Sequence, residues 1–215
     1  MRLAVVTVLA VAVSGVAGLA GVSGLGACGG KKDGKRGAAQ AAAKVDPQAE
    51  LAASATALAE VNARIPDELR GKLSFTATLG EKDRHVAILP AGWESGTLPG
   101  STRPPDAAGL GFMTQFVTGA SCDGSCEPKD WAATADKVDF AQFKGQDYTI
   151  LSDEKLDSGR VVVAKTVDRT YVAAARWKPG AKRYFACHAT LDQEIAAAAP
   201  AFAAACKAMK IVAWD

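Results

Sequence analysis

Residues 160–177 read RVVVAKTVDRTYVAAARW, two strand-like runs separated by Asp168-Arg169. β-Branched and aromatic residues favour pleated strands, and a two-residue polar link between two such runs predicts a hairpin. Similar runs precede and follow this stretch, at residues 148–151 and 183–191. Parallel strands need long crossover connections, so four successive strands with short links predict an antiparallel meander.

Other segments outside the meander predict further strands and helices. Strand patterns occupy residues 72–79, 85–89, 111–117 and 211–214. The first two flank a turn and predict a second hairpin. Helical patterns occupy residues 46–65, 128–143 and the segment from Asp192 to Met209. This order of elements predicts an α+β fold, in which helices cover an antiparallel sheet.

One segment and its context resemble a known family. The run Val86-Ala-Ile-Leu-Pro-Ala-Gly-Trp93 resembles the strand-Pro-x-x-Trp opening of PsbP-like domains. The meander that runs into a C-terminal helix with Phe202 and Cys206 extends the likeness over residues 70–215. The resemblance implies an α/β/α sandwich that binds partners without catalysis. No functional residue of the family can be carried over, because none matches this sequence.

Residues 1–27 have the pattern of a lipoprotein signal peptide. Arg2 precedes a short apolar run, which glycine and serine then dilute. A charged start, a short apolar core and a small-residue exit are typical of a secretory signal. The exit, Leu25-Gly-Ala-Cys28, resembles the bacterial lipobox, whose cysteine is acylated before the leader is removed. The resemblance implies a lipid anchor at Cys28. An ordinary cleaved signal and an uncleaved anchor helix are the alternatives.

The chain beyond the leader divides into a tether and a domain. Residues 28–45 hold five basic residues and one acidic residue and predict a flexible basic tether to the membrane. Residues 46–215 predict a single domain, whose leading helix, residues 46–65, is a candidate for loose attachment. The domain holds 19 basic and 22 acidic residues, so it has no basic excess for nucleic acid. A lipid anchor implies a location in the cell envelope, facing the periplasm or the exterior. Gly29 favours the outer membrane.

Four cysteines follow Cys28, and an even number in an exported chain predicts disulfide bonds. Cys122 and Cys126 flank the turn-forming triplet Asp-Gly-Ser. Cys187 and Cys206 lie on elements that should pack together. We therefore expect the pairs Cys122–Cys126 and Cys187–Cys206. A structural zinc site is the alternative, although only the first pair has metal-ligand spacing. The sequence predicts no cofactor and no metal.

The sequence contains no catalytic motif that predicts an enzyme. The domain lacks a nucleophile elbow, a zinc-protease helix, a phosphate loop and a dinucleotide-binding loop. The Cys122-x3-Cys126 spacing has one residue too many for a thioredoxin-like redox motif. His188 follows Cys187, but adjacent side chains of a strand point to opposite faces, which argues against a thiol–imidazole pair. His85, beside a turn, is expected to be solvated.

Trp93 and Trp177 each end a strand, and they are the candidates for a partner-binding rim, with ordinary core packing as the alternative.

We expect a lipid-anchored envelope protein with a non-catalytic domain that binds another envelope protein or the cell wall. A lipoprotein that binds a small ligand between sheet and helix is the second hypothesis. A thiol oxidoreductase, through Cys122 and Cys126, or an unrecognised hydrolase is the third.

Overall fold

The predicted meander forms the centre of the fold in the computed structural model, which describes residues 45–80, 82, 84–121, 130–145 and 147–213. Its strands are β6 (Thr149–Leu156), β7 (Gly159–Lys165), β8 (Arg169–Arg176) and β9 (Tyr184–Asp192). Each strand is antiparallel to the next along the chain. The prediction of an antiparallel meander is confirmed. β6 is longer than predicted and is followed by a tight turn into β7.

Further strands join the meander or form a second sheet: β1 (Phe75–Leu79), β2 (His85–Pro90), β3 (Glu94–Ser95), β4 (Ser101–Arg103), β5 (Gln115–Ser121) and β10 (Lys210–Ile211). Within the described residues, the larger sheet has the order β3-β4-β5-β9-β8-β7-β6. The smaller sheet has the order β1-β2-β10 and contains the predicted hairpin. All of these pairings are antiparallel. The predicted α+β fold class is confirmed.

The described helices are α1 (Pro47–Ala53), α2 (Ala55–Ala63), α3 (Trp131–Val138) and α4 (Ala199–Lys207). The helix predicted over 46–65 is interrupted at Ser54, whose hydroxyl donates to the carbonyl oxygen of Leu51 at 2.6 Å. Such local bonds compete with the helical backbone pattern. Asn62 of α2 accepts from the backbone N–H of Phe75 at 2.8 Å and donates to its carbonyl at 3.2 Å. These bonds hold α2 against β1.

The central strands of the larger sheet, β7 and β8, are buried on both faces. Val161 and Val163 of β7 face α4 and α2, whereas Val162 and Ala164 face α3. We call these sides the α4 face and the α3 face. The smaller sheet and α2 complete the cover of the α4 face. Burial on both faces explains why β7 and β8 are nearly continuous apolar runs rather than alternating ones.

Helix α4 is joined to the sheet by a disulfide bond between Cys206 and Cys187 of β9, with their Cα atoms 5.5 Å apart. The helix predicted from Asp192 begins instead at Ala199, after a 3-10 turn at Ala196–Ala198. Asp192 belongs to β9 and does not cap the helix, because its carboxylate accepts from the N–H of Met113 at 2.9 Å. Pro200 lies in the first turn of α4, where its missing N–H costs no helical hydrogen bond.

Three other sequence expectations differ from the structure. The strand predicted at 111–117 begins only at Gln115, because a turn with Gly111 at φ +87° precedes it. The helix predicted over 128–143 ends already at Val138, and a separate 3-10 turn follows at Ala141–Lys144. His85 is 1% exposed rather than solvated, with its ring 5.2 Å from that of Phe185.

Strand β6 forms the long free edge of the larger sheet. All of its residues except Leu156 are exposed, and its pairing with β7 is irregular between Ile150 and Ser152. Asp153, Glu154 and Lys155 follow this bulge. Among the described residues, no helix is long and apolar enough to cross a membrane.

Candidate functional site

A groove of about 470 Å³ lies between α4 and strands β6 and β7. It arises because α4 packs over β7, β8 and β9, whereas β6 extends beyond the helix and stays exposed. Pockets of a few hundred cubic ångströms with mostly apolar walls are typical of small-ligand sites. The groove is therefore the candidate site of the domain.

The floor and wall of the groove are apolar. Val161 and Val163 of β7 and Leu151 of β6 form the floor. One stripe of small side chains forms the helical wall: Ala196, Ala199, Ala203 and Ala204. Residues three and four positions apart share one face of a helix. Alanine at these positions leaves open the space that larger side chains would fill.

An ion pair closes one end of the groove. Lys207, at the C-terminal end of α4, donates to the carboxylate of Glu154 on β6. The carbonyl oxygen of Lys207 accepts from Nη1 of Arg176 at 3.2 Å. Arg176 pairs with Gly159 in the sheet register, so this end lies beside the β6–β7 turn. Burial lowers the pKa of Arg176.

Arg64 and Thr170 line the groove at its other end. Thr170 lies opposite Leu191, from which the chain runs through the 3-10 turn into the N-terminal end of α4. Arg64 directly follows α2, and Asn62 of that helix accepts a hydrogen bond from the backbone N–H of Phe75. The ring of Phe75 in turn lies 5.1 Å from that of Phe202, in the first half of α4. Both polar groups therefore mark the N-terminal end of the helix.

A histidine–aspartate pair lies on the opposite, α3 face of the sheet. Nε2 of His188 is 2.8 Å from Oδ1 of Asp139, which is 5% exposed and directly follows α3. Val117 and Ala173 are the direct neighbours of His188 on the adjoining strands. Neither of these two side chains can act as a nucleophile. The pair links the end of α3 to β9.

A second ionic group joins α3 to the free edge of the sheet. Arg160 on β7 donates to Asp153 at 2.8 and 2.6 Å and to Asp136 of α3 at 2.7 Å. Its guanidinium also lies 4.8 Å from the ring centroid of Phe140. The hydrogen bond from Arg160 lowers the pKa of Asp153. This cluster stabilises packing on the α3 face, and two carboxylates engage its guanidinium.

The structure separates most of the site residues that the sequence suggested. Cys187 and Cys206 form a buried disulfide bond, whereas Cys28, Cys122 and Cys126 lie outside the described residues. Trp93 packs on the α4 face, with its ring 5.8 Å from that of Phe202. Trp177 packs on the α3 face. The two tryptophans therefore do not form one rim. The described residues contain no cluster of three metal-binding side chains.

Sequence reasoning missed the residues that line the groove. The signal that could have indicated it is the alanine-rich segment 196–204, which only Pro200 and Phe202 interrupt and which gives the helical wall small side chains. Arg64 and Thr170 are separated by over a hundred residues, and only the packing of α2 beside α4 brings both to one groove.

Comparison with known proteins finds similarity among solved structures. No family model and no curated protein matches the chain. Among solved structures, the chain is similar to the Saccharomyces cerevisiae Ran-binding protein Mog1p, with 7% identity and a TM-score of 0.43 over 65% of this chain and 96% of that one. A mutant of protein Mog1 is similar with 9% identity, the same TM-score and the same coverage. Likeness at this level supports no inference about function.

Proposed function

We propose that this chain is a lipid-anchored protein of the bacterial cell envelope whose α+β domain binds a small ligand, without chemical change, in the groove beside α4. The anchor part rests on the sequence of residues 1–28, which ends in the lipobox-like Leu25-Gly-Ala-Cys28. A lipobox cysteine carries more than one acyl chain, which is what stable membrane attachment requires.

The groove is the observation that carries the binding part of the proposal. It has the volume of a small-molecule site, an apolar floor at Val161 and Val163, and a few polar groups at its ends. Non-catalytic binding is favoured because Glu154, the carboxylate among the described residues that line the groove, is held in an ion pair with Lys207. His188, whose imidazole pairs with the carboxylate of Asp139, lies on the other face of the sheet.

Filling the groove tests this function. We expect Ala203→Trp to block the groove, because Ala203 belongs to its helical wall. Full-length protein, extracted from membranes in polymer nanodiscs, should copurify with a small molecule that mass spectrometry detects with wild type and not with this variant. Ala133→Trp, an exposed site on α3, is the matched control and should retain the ligand. Equal ligand recovery from all three proteins would contradict the proposal.

Docking of another envelope protein is a second candidate function, favoured by exposed apolar residues at one end of the larger sheet. Phe112 is 84% exposed and Val167 is 92% exposed. Their turns meet at the end of β9, where Asp192 accepts from the N–H of Met113 and the Gln193 amide donates to the carbonyl oxygen of Val167 at 3.3 Å. Exposed apolar clusters often mark protein-binding surfaces.

A further inference from the structure

The two ends of the groove differ in charge. At the C-terminal end of α4, Lys207 and Glu154 form an ion pair and offer no net charge. At the N-terminal end, Arg64 forms no ion pair or side-chain hydrogen bond with any other described residue. Lys165 lies directly opposite Thr170 on the same sheet face and adds an exposed cation at that end. The groove therefore has one cationic end and one neutral end.

An apolar track connects these ends. Val163 and Val161 follow one another along β7 from the level of Thr170 towards Gly159. The alanines of the helical wall run beside them, and α4 itself is nine residues long, or about 13 Å at 1.5 Å per residue. Leu151 of the exposed strand β6 borders the open side, through which a ligand can enter sideways.

We propose that the groove binds a single-chain amphiphile with a carboxylate headgroup, such as a fatty acid. The carboxylate lies at Arg64 and Thr170, and the alkyl chain follows Val163 and Val161 towards Lys207. This inference rests on the proposed function and names the ligand class for the same groove.

The chemistry of the two parts sets the ligand class. The planar guanidinium of Arg64 can donate two parallel hydrogen bonds to a carboxylate, and the hydroxyl of Thr170 can donate a third. A fully buried methylene strengthens binding about fourfold, and one in an open groove less than that. A linear alkyl chain can cover the whole apolar track, whereas a compact ligand leaves most of the track exposed to water. A cationic headgroup would meet Arg64 and Lys165 with repulsion.

Photolabelling of the full-length protein in its native membranes tests the inference. The probe is palmitic acid that carries a diazirine in its chain, and labelled peptides are mapped by mass spectrometry. We expect label in β6, β7 or α4, and we expect unlabelled palmitate to compete about tenfold better than hexadecanol or hexadecyltrimethylammonium. Competition by shorter fatty acids should strengthen with each added methylene until the chain exceeds the track.

Two charge-reversal variants distinguish recognition of the headgroup from nonspecific hydrophobic binding. Arg64→Glu removes the proposed partner of the carboxylate at an exposed position, so the fold should persist while the preference for palmitate disappears. Lys178→Glu makes the same type of change beyond the groove and should leave the preference intact.

Equal competition by all three headgroups would overturn the carboxylate inference and leave ligand binding in the groove standing. An unchanged preference in Arg64→Glu would also overturn it. Absence of label from the groove peptides would overturn this inference. If, in addition, Ala203→Trp recovered as much ligand as wild type, the proposed function would be contradicted as well.

Discussion

At the scale of single residues, the close approach of Gly80 and His85 shapes the start of the smaller sheet. The N–H of Gly80 donates to the carbonyl oxygen of His85 at 2.8 Å, and a Cβ at Gly80 would overlap the imidazole ring. The ring is buried against Phe185 of the larger sheet. The sequence places His85 beside a turn, which suggests solvent. Its burial depends on a residue a hundred positions away, and no local pattern contains that information.

Substitution of Gly80 should therefore destabilise the fold. We expect Gly80→Ala to lower the free energy of unfolding by about 1–3 kcal/mol, the usual cost of inserting a methyl group into a packed region. Chemical denaturation monitored by tryptophan fluorescence would measure the change. Gly71→Ala is the matched control, because nothing lies within 4 Å of a Cβ at Gly71. A similar stability for the two variants would show that His85 can move at little cost.

At the scale of elements, the disulfide bond and the alanine stripe give α4 two different roles. One side of the helix, with Phe202 and Cys206, is buried on the sheet, and another side borders the groove. The apolar periodicity predicted the buried side. The break at Ser54 and the late start of α4 were not predicted, because serine–backbone bonds and a 3-10 turn leave apolar spacing nearly unchanged.

Removal of the disulfide bond should loosen α4. The bond closes a chain segment with a sequence separation of 19, for which loss costs about 3 kcal/mol. We expect Cys187→Ala combined with Cys206→Ala to lower the free energy of unfolding by that amount, measured by urea denaturation. The amide hydrogen-exchange rate should increase in α4 more than it does in β7 and β8. Uniform exchange across α4 and the meander would contradict a local role for the bond.

At the scale of the whole molecule, the sequence predicted the antiparallel meander but not the full sheet. Turn residues and apolar runs predict neighbours along the chain, and β6 to β9 are such neighbours. The pairing of β5 with β9 joins segments that are far apart in sequence. For the same reason the groove, which is lined by residues from Arg64 to Lys207, could not be assembled from local patterns.

The proposed lipid anchor concerns the whole chain and has its own test. We expect Cys28→Ala to lose incorporation of an alkynyl palmitate, detected on denaturing gels after metabolic labelling, because Cys28 is the proposed acylation site. Ser23→Ala, in the leader before the lipobox-like tetrad, should label like wild type. Persistent labelling of the Cys28→Ala protein would refute a lipid anchor at this residue.

The irregular edge of β6 has a consequence for crowding. Anchored molecules diffuse in two dimensions, where copies meet far more often than they do in bulk solution. A long regular free strand would then act as a template for sheet-to-sheet association. The bulge between Ile150 and Ser152 and the charges of Asp153, Glu154 and Lys155 interrupt that template. The edge beside the proposed ligand groove thus also disfavours sheet-to-sheet association between neighbouring copies.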